Sequence, residues 1–135
     1  MRTLLAMALL LAAPAGADVW SFATPSNNIV CTVGEGFEGS DLTYTIHQKG
    51  GTPPAPRPAG CNAGWGHVFF MRDRGYVEMW CQTVAPSGTG AQSVADYGVT
   101  GQFGGFTCFS SRQGLECRNL DGHGFFLSRA SQRVF

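Results

Sequence analysis

Cys108 and Cys117 stand nine positions apart, with Ser-Ser-Arg-Gln-Gly between the residues that flank them, and this spacing constrains the chain more than any other feature. If Arg112 and Gln113 are the central residues of the turn, the two cysteines fall directly opposite each other on adjacent antiparallel strands. Residues so placed have Cα atoms about 4.5–5.5 Å apart, within disulfide reach. Gly114 supplies the positive φ that a tight or bulged hairpin turn needs. A second turn follows at Asp121-Gly122-His123-Gly124, where Asp-Gly is a strong hairpin signal. Phe125 and Leu127 then alternate with Phe126 and Ser128, as a strand with one buried face requires. Residues 106–135 therefore read as a disulfide-pinned three-strand meander.

The start of the chain points to export. Arg2 precedes an apolar run from Leu4 to Ala13, and Pro14-Ala15-Gly16-Ala17 closes it with an A-x-A pattern. That run is shorter than the roughly 20 apolar residues a bilayer span needs. Residues 1–17 read as a signal peptide cut before Asp18, leaving a single secreted β domain over 18–135. Asp18 is not a cysteine, so a lipid anchor is not indicated. An amphipathic first helix is disfavoured, because no charge breaks the stretch.

The remaining 118 residues carry eight basic and nine acidic side chains, a balance that favours neither nucleic acid nor an anionic membrane surface. Nineteen glycines and seven prolines in the whole chain, against one lysine, argue for turn-rich β structure, and no stretch shows capped helical periodicity. In an oxidising compartment five cysteines at these spacings are mostly disulfide partners. There is no C-x-x-C, and the three histidines have no metal-ligand spacing, so neither a metal nor a cofactor is expected.

Along the chain, Phe22 to Asn28 is an extended piece ending in a turn, and Ile29 to Val33 reads as a strand. Gly34 to Ser40 is a glycine-rich loop. Leu42, Tyr44 and Ile46 then share one face of the next strand, and pairing across the loop sets Cys31 opposite Tyr44. Gln48 to Gly60, with four prolines, cannot join a sheet interior and reads as a surface crossing between hairpins. A polyproline II ligand segment is the alternative there, since Pro53 and Pro56 have P-x-x-P spacing. Val68–Arg72 and Tyr76–Cys81 flank a three-residue turn, Asp73-Arg74-Gly75. This hairpin returns the chain toward its start and brings Cys61 within reach of Cys81, the preferred second disulfide. The fold expected is all-β: a small antiparallel sandwich or partly open barrel of about seven short strands, stapled by two disulfides.

Several motifs together carry a resemblance: Phe22-x-Thr-Pro-Ser-x-Asn-Ile-x-Cys31, Pro-Pro-x-Pro-x-Pro-x-x-Cys61, Trp65-Gly66, the Cys81 strand, Tyr97-Gly98, Cys108, Gly114-Leu-x-Cys117-x-Asn119, and Gly122-His-Gly-Phe-Phe-Leu-Ser-Arg129. In this order and spacing the chain resembles a family of small secreted bacterial proteins grouped as a domain of unknown function. The resemblance covers nearly the whole exported chain and implies export and a cysteine-stapled β domain, with no activity. It also implies a cysteine where this chain has Tyr44 and a glycine where it has Asn28. The first departure matches the odd cysteine count and leaves Cys31 as a free thiol.

Three groups of residues are candidates for function. Cys31 is a reactive thiol or an intermolecular partner only if exposed near positive charge, and its neighbours Val30 and Thr32 offer none, so the inert reading is favoured. Asp121, His123 and Ser128 are the residue types of a hydrolase triad, but no G-x-S-x-G elbow is present, and Asp-Gly-His-Gly is well explained as turn chemistry. Arg129 is expected to pair with an acid or with loop carbonyls. Trp20, Trp65 and Trp80 could line a groove for a glycan or peptide, because indole offers a flat apolar face and a polar handle, although core packing accounts for each as well. A monomeric, non-enzymatic binding module for a protein, peptide or glycan of the cell envelope, secreted or periplasmic, is the reading favoured over an envelope hydrolase.

Overall fold

The computed structural model describes residues 18–88 and 90–135, so the proposed signal peptide lies outside the described residues. The strands are β1 (Asp18–Ala23), β2 (Ile29–Gly36), β3 (Gly39–Ile46), β4 (Val68–Arg72), β5 (Glu78–Trp80), β6 (Ser93–Val94), β7 (Thr100–Phe103), β8 (Phe106–Ser111), β9 (Gly114–Arg118), β10 (Gly124–Leu127) and β11 (Gln132–Val134). They form a six-stranded sheet in the order β5-β4-β3-β2-β1-β6 and a five-stranded sheet in the order β11-β10-β9-β8-β7. All pairings are antiparallel except that of β1 with β6. The architecture is an open all-β sandwich, with no closure into a barrel.

Period-2 alternation builds the interface between the layers. Cys31, Val33, Leu42, Tyr44, Ile46, Phe69 and Met71 of the larger sheet pack in one cluster with Phe106, Cys108, Leu115, Cys117, Phe125 and Leu127 of the smaller. The Tyr44 ring stacks on Phe69 within its own sheet, 5.2 Å between centroids, and on Phe125 across the interface. Burial of these apolar faces is the main stabilising term, at about 25 cal/mol per Å² removed from water.

Both disulfides are formed. Cys108 lies directly opposite Cys117, their Cα atoms 4.0 Å apart, because the turn between them contains only Arg112 and Gln113. Cys61 is joined to Cys81, closing the second hairpin and its lead-in.

The strand count exceeds the seven or so expected for identifiable reasons. β1 reads from sequence as an extended lead-in, while β6 and β11, two and three residues long, are too short to carry a period. The loop expected at 34–40 is also mostly strand. The β2–β3 ladder runs on to Gly36↔Gly39, leaving Phe37-Glu38 as a two-residue turn. The β4–β5 hairpin has the expected register, Phe70 opposite Glu78, but Tyr76 and Val77 leave the ladder. Contacts from the opposite sheet hold that turn instead, and Gly75 within it has φ +96°, a conformation glycine adopts freely.

Candidate functional site

The Asp121–His123 turn is organised by Asn119. The buried Asn119 side chain donates from Nδ2 to Arg72 O and Gly75 O, at 3.1 and 2.8 Å, and its Oδ1 accepts the Asp121 and His123 N–H groups. It thereby fastens the β9–β10 turn of one sheet to the β4–β5 turn of the other. Asp121 extends the same joint. One carboxylate oxygen accepts the Gly75 N–H at 2.9 Å and the other takes Arg74 at 2.8 Å. Those contacts, the backbone one first, hold its pKa below the ordinary carboxylate value.

His123 lies beside Asp121 in sequence and space, but its imidazole packs on the exposed Tyr76 ring, 4.3 Å between centroids. Ser128 is engaged elsewhere: its hydroxyl donates to Ser131 O and accepts Ser131 N–H, closing the turn before β11. His123 precedes β10 and Ser128 follows it, so about 16 Å of extended chain separates them. The structure brings His123 and Asp121 together and leaves Ser128 apart. Among the described residues, no three His, Cys, Asp or Glu side chains gather as a metal site.

Cys31 is free and fully buried in the inter-sheet core. Burial pushes its thiol pKa far up, so the nucleophilic thiolate is disfavoured in the folded state. Opposite it stands Tyr44, whose buried hydroxyl has no hydrogen-bond partner among the described residues.

The three tryptophans occupy different settings. Trp65 donates its indole N–H to Ala55 O at 2.9 Å and so pins the proline-rich crossing. Trp80 lies on the outer face of the larger sheet, stacked on Phe70 at 4.9 Å, with Arg72 over Phe70 and Glu78 alongside. Trp20 faces inward at the sandwich's open edge. It meets Phe103 edge-on at 4.6 Å and Phe22 at 5.9 Å, lining a cavity of about 210 Å³. Two edge strands, β6 of the larger sheet and β7 of the smaller, flank this cavity, and Val94 and Val99 at its rim are more than half exposed. Sequence reasoning singled out Trp20 but not the cavity, because β6 joins β1 from about seventy residues away.

The fold and these features define a class: a small, disulfide-stapled β-sandwich with an apolar cavity at one open edge. The two bridges accord with an oxidising, extracytoplasmic setting. No helix among the described residues is long and apolar enough to cross a membrane. The chain belongs to DUF6636, a family of unknown function whose model matches residues 3–135. No curated protein and no solved structure showed a match.

Proposed function

We propose that this chain is a non-enzymatic binding module of the bacterial cell envelope, exported by its N-terminal segment, which takes an apolar group of a protein, peptide or glycan partner into the Trp20 cavity. The observation that carries this reading is an apolar, aromatic-lined space opening between two unclosed sheet edges. A buried void of this lining would be closed by repacking in an ordinary core, since interiors are close-packed. Here Val94 and Val99 at the rim are exposed and Trp20 is only partly buried. The envelope hydrolase built on Asp121, His123 and Ser128 draws no comparable support, because two of its three groups are engaged by turn contacts.

A small probe tests the site. Toluene added to the purified protein should shift the Trp20 indole resonance and leave those of Trp65 and Trp80 in place. Ala95→Leu, which fills the cavity without removing a core side chain, should abolish that shift and also the retention of any envelope component by the immobilised protein. Unchanged binding in Ala95→Leu, or a wild type that takes up no probe, would refute the reading.

A further inference from the structure

A second site, independent of the Trp20 cavity, is built from motif stretches that the cavity leaves unused. The turn from Thr24 to Ile29, Tyr97, the β8–β9 turn and the end of β10 converge on a groove of about 230 Å³. Their walls are fixed by local bonds. Thr24 N–H donates to Ile29 O at 3.0 Å, and the Asn28 side chain brackets Gln48 through its backbone N–H and C=O. Ser111 Oγ spans the β8–β9 turn to Gly114 O. Gly114, lacking a Cβ, lets the Leu127 carbonyl approach, which sets the Arg112 turn beside the Ser128-Arg129 end of β10.

The hydroxyls lining the groove are engaged by turn contacts: Thr24 and Ser26 with each other and with the Ile29 and Asn28 N–H groups, Ser111 with Gly114 O and Ser128 with Ser131. Among the described residues, the groove-lining Tyr97 hydroxyl, Gln113 side-chain amide and the Arg112 and Arg129 guanidinium groups make no hydrogen bond. Arg112 lies over the Tyr97 ring, its Cζ 5.2 Å from the centroid, and so is partly pre-positioned. Arg129 was expected to pair with an acid or with loop carbonyls. Instead its guanidinium makes neither an ion pair nor a hydrogen bond among the described residues, and the three ion pairs present use Arg72, Arg74 and Arg118. Among the described residues no carboxylate lines the groove, and the exposed Tyr97 ring is its apolar wall.

We infer that this groove binds a small organic oxyanion, a phosphate or carboxylate carried on a compact apolar or ring body. Two guanidinium groups that line one groove, with no ion pair among the described residues, raise the local potential for an anion, in a chain with almost no net charge to oppose it. The planar guanidinium matches phosphate and carboxylate oxygens in pairs, giving charge-assisted bonds stronger than neutral ones. The Tyr97 ring offers a flat face to whatever carries the anion.

Backbone amide NMR at constant ionic strength tests this with inorganic phosphate, acetate and phenyl phosphate as probes. Shifts should be confined to residues 97, 111–114 and 127–129. Comparing phosphate with acetate identifies the preferred anion, and phenyl phosphate should bind more tightly than inorganic phosphate through the Tyr97 ring. Arg112→Gln combined with Arg129→Gln should weaken binding by about ten-fold or more, the scale of losing hydrogen bonds to charged groups. Arg133→Gln, at an exposed arginine over Phe126, should change nothing. The inference is overturned if the double variant binds within two-fold of wild type. It is equally overturned if sodium chloride alone shifts the same amides, or if shifts spread over all exposed arginines. Both replaced residues are exposed turn residues, so an intact spectrum identifies a folded variant.

Discussion

Cys31 and Tyr44 face each other in the driest part of the molecule, and each titrates well above its usual range because burial penalises the charged form. The sign of the pH dependence follows. Above about pH 8.5 the unfolded chain begins to release the thiol proton, and nearer pH 10 the phenol proton, while the folded chain keeps both. The unfolded state then binds fewer protons, so stability is full below about pH 8 and is lost as pH rises. Each group can add a slope of up to about 1.4 kcal/mol per pH unit. Urea unfolding midpoints between pH 7 and 10.5 should record this decline. Cys31→Ala, though weaker at pH 7 through lost packing, should decline less steeply over pH 8–10. A thiol reagent should label Cys31 only after unfolding. Fast labelling of the native protein would contradict its burial. The Tyr44 hydroxyl loses water on folding and gains no partner among the described residues. Tyr44→Phe should therefore be stabilising, by about 1 kcal/mol, and should raise Tm by roughly 4 °C. A lowered Tm would show that the hydroxyl is satisfied.

Among the elements, the joint between the β4–β5 and β9–β10 turns carries the most polar organisation per residue. Asn119→Ala removes two donors and one doubly used acceptor, leaving carbonyls and N–H groups of both turns unpaired. The expected loss is about 2–4 kcal/mol, with one to three for each buried group stranded. Hydrogen exchange should rise at Gly75 and His123 before it rises in β2 or β3. An effect below about 0.5 kcal/mol, typical of a surface change, would mean that water replaces the joint without cost. This element also shows where the sequence is informative. The Cys108–Cys117 hairpin and the Leu42–Tyr44–Ile46 face were legible because they rest on local turn chemistry and a period of two. Asn119 looks like an ordinary turn residue, since the carbonyls it holds lie 44 and 47 positions earlier. The departure of Tyr76 and Val77 from the β5 ladder was illegible for the same reason. The cavity and the arginine groove are likewise products of distant segments, and only their individual residues could be picked out in advance.

At the scale of the whole molecule, the two bridges protect different things. Cys108–Cys117 lies inside the inter-sheet core, whereas Cys81 is exposed where the second hairpin meets the 61–64 loop. Mild reductant should open Cys61–Cys81 first, with the sandwich still folded, and reach Cys108–Cys117 only on unfolding. Alkylation followed by peptide mapping would show the order, and simultaneous loss of both bridges would contradict it. Loop-closure entropy values the bridges at about 3 kcal/mol for the longer loop and about 2.5 kcal/mol for the shorter.

The seclusion of Cys31 has a further consequence for the history of the molecule. A thiolate attacks a disulfide sulfur, forms a new bridge and expels a neighbouring sulfur as the next attacker. In the folded chain that exchange has no initiator, because the lone sulfur is both protonated and walled in. Once the sandwich opens in mildly alkaline solution, the chain carries its own shuffling reagent, and the native pattern competes with wrong ones. The fold thus safeguards its own covalent bookkeeping: an acidic or neutral melt can be retraced, while an alkaline one erases the way back.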